Sequence, residues 1–136
     1  MVKPGCCGDD CNYCPRYLAT VSGNEKRLEE IAGLWQMIGW RNGPTLTEEM
    51  VCHGCETVHH CGLGIRECAV EKGIDCCGKC RDYPCEKLLN IFENNEKESR
   101  FCRENFPEKD FELFQKAFFS KKERLDKISL DYDNLT

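Results

Sequence analysis

The chain carries three Cys-x-x-Cys turns, and this feature constrains its fold more than any other. The turns are formed by Cys11 and Cys14, by Cys52 and Cys55, and by Cys77 and Cys80. A two-residue gap lets two thiolates reach one metal ion at about 2.3 Å, because the turn brings both sulfurs to the same side. One such turn also occurs in redox proteins, but three in 136 residues indicate a domain organised by metal.

Further cysteines extend each turn into a cluster. Thiolates are soft ligands, and zinc in structural sites is almost always held by four ligands in tetrahedral geometry. We therefore predict zinc as the cofactor. The ten predicted metal ligands are Cys7, Cys11, Cys14, Cys52, Cys55, Cys61, Cys68, Cys77, Cys80 and Cys85. The other three of the 13 cysteines are Cys6, Cys76 and Cys102.

The cysteines are interpreted as ligands rather than disulfides because the sequence shows no secretory signal. Its first residues lack an apolar segment, and no apolar run is long enough to cross a bilayer. We therefore predict a cytoplasmic protein with no membrane partner, whose thiols stay reduced. The net charge of -5 argues against nucleic acid as a partner, since that function needs a clustered basic surface. A disulfide scaffold is the alternative for a secreted chain.

Apolar spacing predicts helices and no run of strands. Apolar residues recur at three and four residues over 25–40, which predicts an amphipathic helix that ends before Gly43. A single turn is predicted at 47–50. A short helix is predicted at 65–72, with Gly73 as its left-handed cap.

The last part of the chain is also predicted to be helical. A helix from 86 to about 93 is expected to begin with Asp82 as its cap. Beyond it, an amphipathic stripe is expected to pack on the cysteine-rich part, while 129–136 is expected to be frayed. The stripe consists of Phe111, Phe114, Phe118, Phe119, Leu125 and Ile128.

These observations predict a small α-rich, irregular, metal-stabilised domain with little or no β structure. We divide it into a cysteine-rich metal-binding domain at 1-93 and a C-terminal helical extension at 94-136. Hydrophobic residues make up 40% of the chain, but 13 of them are cysteines, so few other apolar residues remain to form a core. A structural zinc site adds about 10 kcal/mol of folding free energy. The fold is therefore expected to depend on metal, and a chelator is expected to expose Trp35 and Trp40.

The second cluster is predicted to close one zinc site by itself, because four thiols occur within seventeen residues. These are Cys52, Cys55, Cys61 and Cys68. Three histidines lie among them and are interpreted as lying outside the coordination, with replacement of one thiol as the alternative: His53, His59 and His60. Only three thiols each are present in the first cluster, Cys7, Cys11 and Cys14, and in the third cluster, Cys77, Cys80 and Cys85, so we predict that the two clusters meet in space. The competing interpretation leaves each trio with an open coordination position.

Several motifs together resemble a known family. They are Cys7-Gly8-x-x-Cys11-x-x-Cys14-Pro15-x-Tyr17-x-Ala19-Thr20, Cys52-x-Gly54-Cys55, Ile65-Arg66-x-Cys68-Ala69, Cys77-x-x-Cys80 and Tyr83-Pro84-Cys85-x-Lys87-Leu88. Over residues 7 to 90 the chain resembles a cysteine-rich prokaryotic family catalogued as domain of unknown function 3795. The resemblance implies a small soluble module with metal binding as its suspected role and no established activity. The chain departs from the family at Leu63 and Gly64, where members often carry a second cysteine before the Ile-Arg motif.

We favour a zinc-binding structural or protein-interaction module, because closed four-thiol sites leave no open position for chemistry. Another protein is then the candidate partner, and no catalytic residue is assigned. An iron-sulfur protein with an electron-transfer or redox role is the alternative, since Cys7, Cys11 and Cys14 have the spacing of a cluster-binding motif. A barrel enzyme using that motif is excluded by size. A thiol enzyme or metal-transfer protein using Cys6, Cys76 or Cys102 is the third class, but no base is placed beside these thiols.

Overall fold

The computed structural model describes residues 5–54 and 64–135, and it confirms the predicted α-rich fold class. The helical fraction is 67%, and the described residues contain no strand. The helices are α1 (Pro15–Val21), α2 (Glu25–Ile38), α3 (Thr47–Met50), α4 (Ile65–Lys72), α5 (Glu86–Asn105), α6 (Glu108–Phe118) and α7 (Lys121–Leu135), with a 3-10 helix at Cys77–Lys79. Within these same ranges, none of the helices is both long enough and apolar enough to span a bilayer. Stabilisation by metal stays a prediction.

Local signals set the ends of α2 and α4. The side chain of Asn24 accepts a hydrogen bond from the backbone N–H of Arg27 at 3.0 Å, which satisfies an otherwise unpaired amide at the start of α2. Gly39, with φ at +94°, ends α2 in the left-handed region, so the prediction extended this helix too far. Gly73 ends α4 with φ at +69°, and the predicted bounds of that helix are confirmed.

The helix α5 is longer than predicted. It contains 20 residues, and the predicted end near 93 is wrong. Asn95 lies just beyond that point, but its side-chain oxygen accepts from Lys121 Nζ at 2.8 Å and so does not compete for the helix backbone. The predicted cap is also wrong, because Cys85 precedes the helix while Asp82 pairs with Lys72 at 3.0 Å. The boundary between 93 and 94 falls inside α5, and the division into two domains stays a prediction.

The predicted C-terminal stripe folds as two helices rather than one. The chain turns at Ser120, whose hydroxyl donates to the backbone oxygen of Gln115 at 2.8 Å. Phe114 on α6 and Leu125 on α7 therefore pack in two different apolar clusters. The predicted fraying at 129–136 is wrong for the described part, since α7 continues to Leu135.

An aromatic cluster joins α2 to α6. Trp35 contacts Trp40 with ring centroids 4.9 Å apart and Phe114 with centroids 5.2 Å apart, both edge to face. Trp40 stacks on Phe114 at 5.8 Å. Phe114 is fully buried, and such ring pairs add stability beyond the apolar area they cover. Among the described residues this is the larger of two apolar clusters, and it includes Cys14.

The helix α7 covers a second apolar cluster, to which it contributes Leu125. It also packs against two Cys-Cys-Gly loops, residues 6–8 and 76–78. A Cβ at Gly8 would lie 2.8 Å from the Cβ of Lys121, and one at Gly78 would lie 2.8 Å from Ile128 Cγ2. Arg124 donates to the carbonyl oxygen of Gly8 at 2.9 Å. Both loops are therefore fixed against the same helix, and only glycine leaves room for it.

Gly78→Ala is expected to lower the free energy of unfolding by about 1 to 3 kcal/mol, the usual cost of overpacking. The added methyl group would lie 3.0 Å from the carbonyl oxygen of Leu125, and a backbone atom cannot rotate away. Gly33→Ala is the matched control, because Gly33 lies within α2 and a Cβ there meets nothing within 4 Å. That variant should be stabilised by about 0.5 to 1 kcal/mol. Urea unfolding of both variants measures these changes. If the two variants unfolded at similar urea concentrations, the close contact between Gly78 and α7 would be contradicted.

Candidate metal centre

The cysteines that the structure describes are all thiols rather than disulfides. They are Cys6, Cys7, Cys11, Cys14, Cys52, Cys68, Cys76, Cys77, Cys80, Cys85 and Cys102. The predicted ligands Cys55 and Cys61, and the alternatives His59 and His60, lie outside the described residues. The ten-residue ligand set as a whole stays a prediction, and the structure shows the surroundings of its described members.

The first group of thiols lies at the start of α1. The turn from Cys11 to Cys14 is closed by a hydrogen bond from the Cys14 N–H to the Cys11 carbonyl at 3.1 Å. Cys14 precedes α1, and its sulfur accepts from the backbone amides of Arg16 and Tyr17. Burial is the main cause that raises the pKa of Cys14 to about 12, and the thiols of Cys11 and Cys52 raise it further. Cys11, Cys14 and Cys52 are called the α1 thiol group below.

Cys52 reaches this group because α3 is tied to α1. The backbone N–H of Cys52 donates to the hydroxyl of Thr20 at 3.0 Å. The guanidinium of Arg16 donates to the carbonyl oxygens of Met50 at 2.6 Å and Glu49 at 2.9 Å. These bonds satisfy the last carbonyls of a four-residue helix and fix the chain that leads to Cys52.

The second group of thiols lines a small cavity between α4, the 3-10 helix and the start of α5. It consists of Cys68, Cys77, Cys80 and Cys85, and is called the cavity thiol group. The turn from Cys77 to Cys80 is closed at 3.1 Å like that of the first group. The cavity has a volume of about 20 Å³. A single water needs about 10 to 15 Å³, so the space suits one water-sized particle.

The charges around the cavity favour thiolates that share a cation. Burial raises the pKa of Cys77 to about 12, and the neighbouring thiols of Cys6, Cys76, Cys85 and Cys68 raise it further, so the thiol of Cys77 is neutral without a cation beside it. Two lysines also line the cavity, Lys72 and Lys87. Lys72 Nζ lies 3.4 Å from the sulfur of Cys80. Four thiolates with one divalent ion carry a charge of about -2, which two ammonium groups would offset.

The Cys-Cys-Gly loops place more thiols beside the cavity. The backbone N–H of Cys77 donates to the carbonyl oxygen of Cys6 at 2.9 Å. Cys6 and Cys76 are half-buried against the same apolar cluster as Cys77. Cys7 is buried in that cluster, and burial followed by the charge of Asp9 raises its pKa above the usual value. Of the predicted first cluster, Cys7 therefore lies in the same apolar cluster as Cys77, whereas Cys11 and Cys14 lie with Cys52. That the two trios of thiols meet on shared metal stays a prediction.

The structure separates thiols that the sequence grouped together. Cys52 lies with Cys11 and Cys14, whereas Cys68 lies with Cys77. The second cluster was predicted to hold one ion with its own four thiols. Its two described members instead lie beside cysteines of other clusters, because a hydrogen bond to α1 holds Cys52 and α4 carries Cys68. Across residues 5–54 and 64–135, no three histidine, cysteine, aspartate or glutamate side chains already stand close enough to hold a metal ion. The thiols would have to draw together on binding.

Sequence reasoning missed the basic residues near the thiols. Lys72 lies four residues after Cys68, and this spacing on one helix places the two side chains on the same face. That signal was available in the sequence. Arg16 gave no comparable signal, because its partners are carbonyl oxygens more than thirty residues away along the chain.

Comparison with known proteins confirms the resemblance noted in the sequence. A family described as Protein of unknown function (DUF3795) matches residues 3–90. No curated protein and no solved structure matches the chain. The matched region contains both thiol groups and ends within α5, so α6 and α7 lie beyond it. Since the match covers well over half of the 136 residues, the chain belongs to the DUF3795 family.

Proposed function

We propose that the protein is a zinc-binding structural or protein-interaction module with two sites. The cavity thiol group would form one complete four-thiol site. The α1 thiol group would form the other, with Cys55 as its fourth ligand because Cys55 completes the turn that begins at Cys52. Cys7 and Cys61 then have no ligand role. The observation that carries the proposal is the cavity of about 20 Å³ lined by four cysteines.

We prefer zinc over the iron-sulfur alternative because one zinc ion needs only the four thiols that line this cavity, whereas a cluster needs several irons and inorganic sulfide as well. Four thiol ligands also complete the tetrahedral coordination of zinc, which leaves no position for a substrate. This supports a structural or interaction role rather than catalysis.

Protein purified without oxygen is expected to contain two zinc ions per chain and to be colourless. Cys80→Ser should lose one zinc, because it removes a ligand from the cavity thiol group alone. Cys14→Ser should lose one zinc from the α1 thiol group. Metal analysis and an absorption spectrum check both results. A brown protein with visible bands would support an iron-sulfur cluster instead and would contradict the proposal.

A double replacement tests the grouping. Cys52→Ser combined with Cys68→Ser is expected to remove two zinc ions, since the two thiols belong to separate sites. If they shared the local site predicted from sequence, the same double variant would remove one. Cys102→Ala is the control, because Cys102 is buried in the aromatic cluster and should leave the zinc content unchanged.

A further inference from the structure

We propose that the groove between α5, α6 and α7 binds a small organic anion, a molecule in which an apolar body carries a carboxylate or phosphate group. The groove has a volume of about 410 Å³, and small-molecule sites commonly measure about 300 to 1,000 Å³. None of the described residues that line it is a cysteine, and all of them lie beyond the region that the family matches. The proposal therefore goes beyond the zinc-binding role and does not depend on it.

Hydrogen bonds between the three helices fix the walls of the groove. The hydroxyl of Ser99 on α5 donates to Gln115 Oε1 on α6 at 2.7 Å. The ammonium group of Lys121 on α7 donates to Asn95 Oδ1 on α5 at 2.8 Å. Asn95 and Ser99 are about one turn apart, so α5 holds both neighbouring helices along one face. The groove is thus formed before a ligand arrives, as small-molecule sites usually are.

Positive charge exceeds negative charge along the groove. Four basic and two acidic side chains line it, and they are Arg100, Arg103, Lys121, Lys122, Glu96 and Glu123. The two lysines pair with Asp9 and Asp126, which do not line the groove. Within the part of the chain that the structure describes, neither arginine forms an ion pair, and both side chains are exposed. Two guanidinium groups are therefore available to an incoming anion.

The two ends of the groove differ in charge, and this difference places the anionic group. Lys122 lies within electrostatic reach of Glu96 and Glu123, so the acidic side chains are at the start of α7. Arg103 lies at the other end, with its guanidinium carbon 5.3 Å from the centre of the Phe111 ring. Arg100 precedes it by three residues on the same helix face. Both guanidinium groups can bind one carboxylate or phosphate, for which their planar donors are suited.

Two phenylalanines supply an apolar wall for the rest of the ligand. Phe92 and Phe119 both line the groove. Phe92 belongs to the second apolar cluster, and Phe119 packs against the aromatic cluster. Because each ring is already held by the residues behind it, an apolar body gains contact area with little loss of side-chain freedom. The ligand class is therefore an anion with an apolar body rather than a simple inorganic ion.

Isothermal titration calorimetry of the full chain tests the proposal with 1-naphthyl phosphate as the probe. The probe should bind with a Kd of about 0.1 mM or lower, as expected for a ligand of its size. 1-Naphthol lacks the anionic group and inorganic phosphate lacks the apolar body, so each should bind at least about tenfold more weakly. 1-Naphthoate carries a carboxylate instead, and the tighter of the two naphthyl anions identifies the head group. If neither anion bound more tightly than 1-naphthol, the proposal would be overturned.

Substitutions of charged residues test the placement of the head group. Arg100→Gln and Arg103→Gln should each weaken binding of the probe by about tenfold, because each removes a charge-assisted contact. Lys97→Gln is the matched control, since it removes one exposed positive charge from α5 outside the groove. It should bind the probe as wild type does. Glu96→Gln removes a negative charge from the wall and should bind at least as tightly as wild type.

Unchanged binding by both arginine variants, or an equal loss in Lys97→Gln, would overturn the assignment of the head group. Both arginine variants should unfold at the wild-type urea concentration, because neither side chain has an ion pair to lose within the described residues. Metal analysis of the same wild-type sample separates this inference from the proposed function. Protein that holds two zinc ions but does not bind the probe would contradict the groove site alone.

Discussion

Removal of the proposed zinc ions by a chelator is expected to abolish the cooperative thermal unfolding of this protein. A structural zinc site contributes about 10 kcal/mol, which is comparable to the whole stability of an ordinary domain. The segment from Gly73 to Cys85 contains only a three-residue 3-10 helix, so few backbone hydrogen bonds stabilise it when metal is removed. Metal bound by several thiols of this segment would join them through one shared ion.

The measurement is circular dichroism during heating, with tryptophan fluorescence as a local reporter of the aromatic cluster. Loss of the transition together with a red shift from Trp35 and Trp40 is the expected result. Zinc added back should restore both signals, while magnesium should not, because it prefers oxygen ligands. An apoprotein that keeps its melting transition would show that the aromatic cluster carries the fold unaided.

Lys121→Met is expected to lower the free energy of unfolding by about 3 kcal/mol, because it leaves a carboxylate in a poorly solvated place. The Lys121 side chain is 4% exposed and that of Asp9 is 18% exposed. Lys121 also donates to Asn95 and to the carbonyl oxygen of Phe118, so three acceptors lose their partner at once. Urea unfolding at neutral pH measures the loss.

The neighbouring lysine supplies the control. Lys122 pairs with Asp126 at 2.7 Å, but its side chain is 60% exposed, so Lys122→Met should leave the urea midpoint unchanged. Adding Asp9→Asn to Lys121→Met should recover part of the lost stability by removing the stranded charge. No recovery would mean that the apolar stem of Lys121, rather than its charge, matters for packing.

The helices could be predicted where short-range signals decide them. Asn24 and Gly73 act through hydrogen bonds and backbone angles within a few residues, and both ends were found correctly. The length of α5 could not be predicted, because Asn95 is occupied by Lys121 from a helix that comes 26 residues later. A partner that distant leaves no trace in local composition.

The grouping of the thiols could not be predicted for a similar reason. Cys-x-x-Cys spacing shows which two thiols share a turn, but not which turns share an ion. A hydroxyl on α1, that of Thr20, holds Cys52, and α4 carries Cys68 away to the cavity. Tertiary contacts therefore separate Cys52 from Cys68, although the two thiols occur in one cluster along the chain.

The contact between α7 and the loop of Gly8 sets an order on folding during synthesis. Arg124 and Gly8 are 116 positions apart, so their hydrogen bond joins nearly the two ends of the chain. A ribosome releases residues from the amino end first, and contacts of such long range form late. Until α7 emerges, the nascent chain holds its amino-terminal thiols uncovered and exposed to oxidants, stray metal ions and other nascent chains. The docking of α7 on this loop therefore ends the interval in which these thiols are exposed.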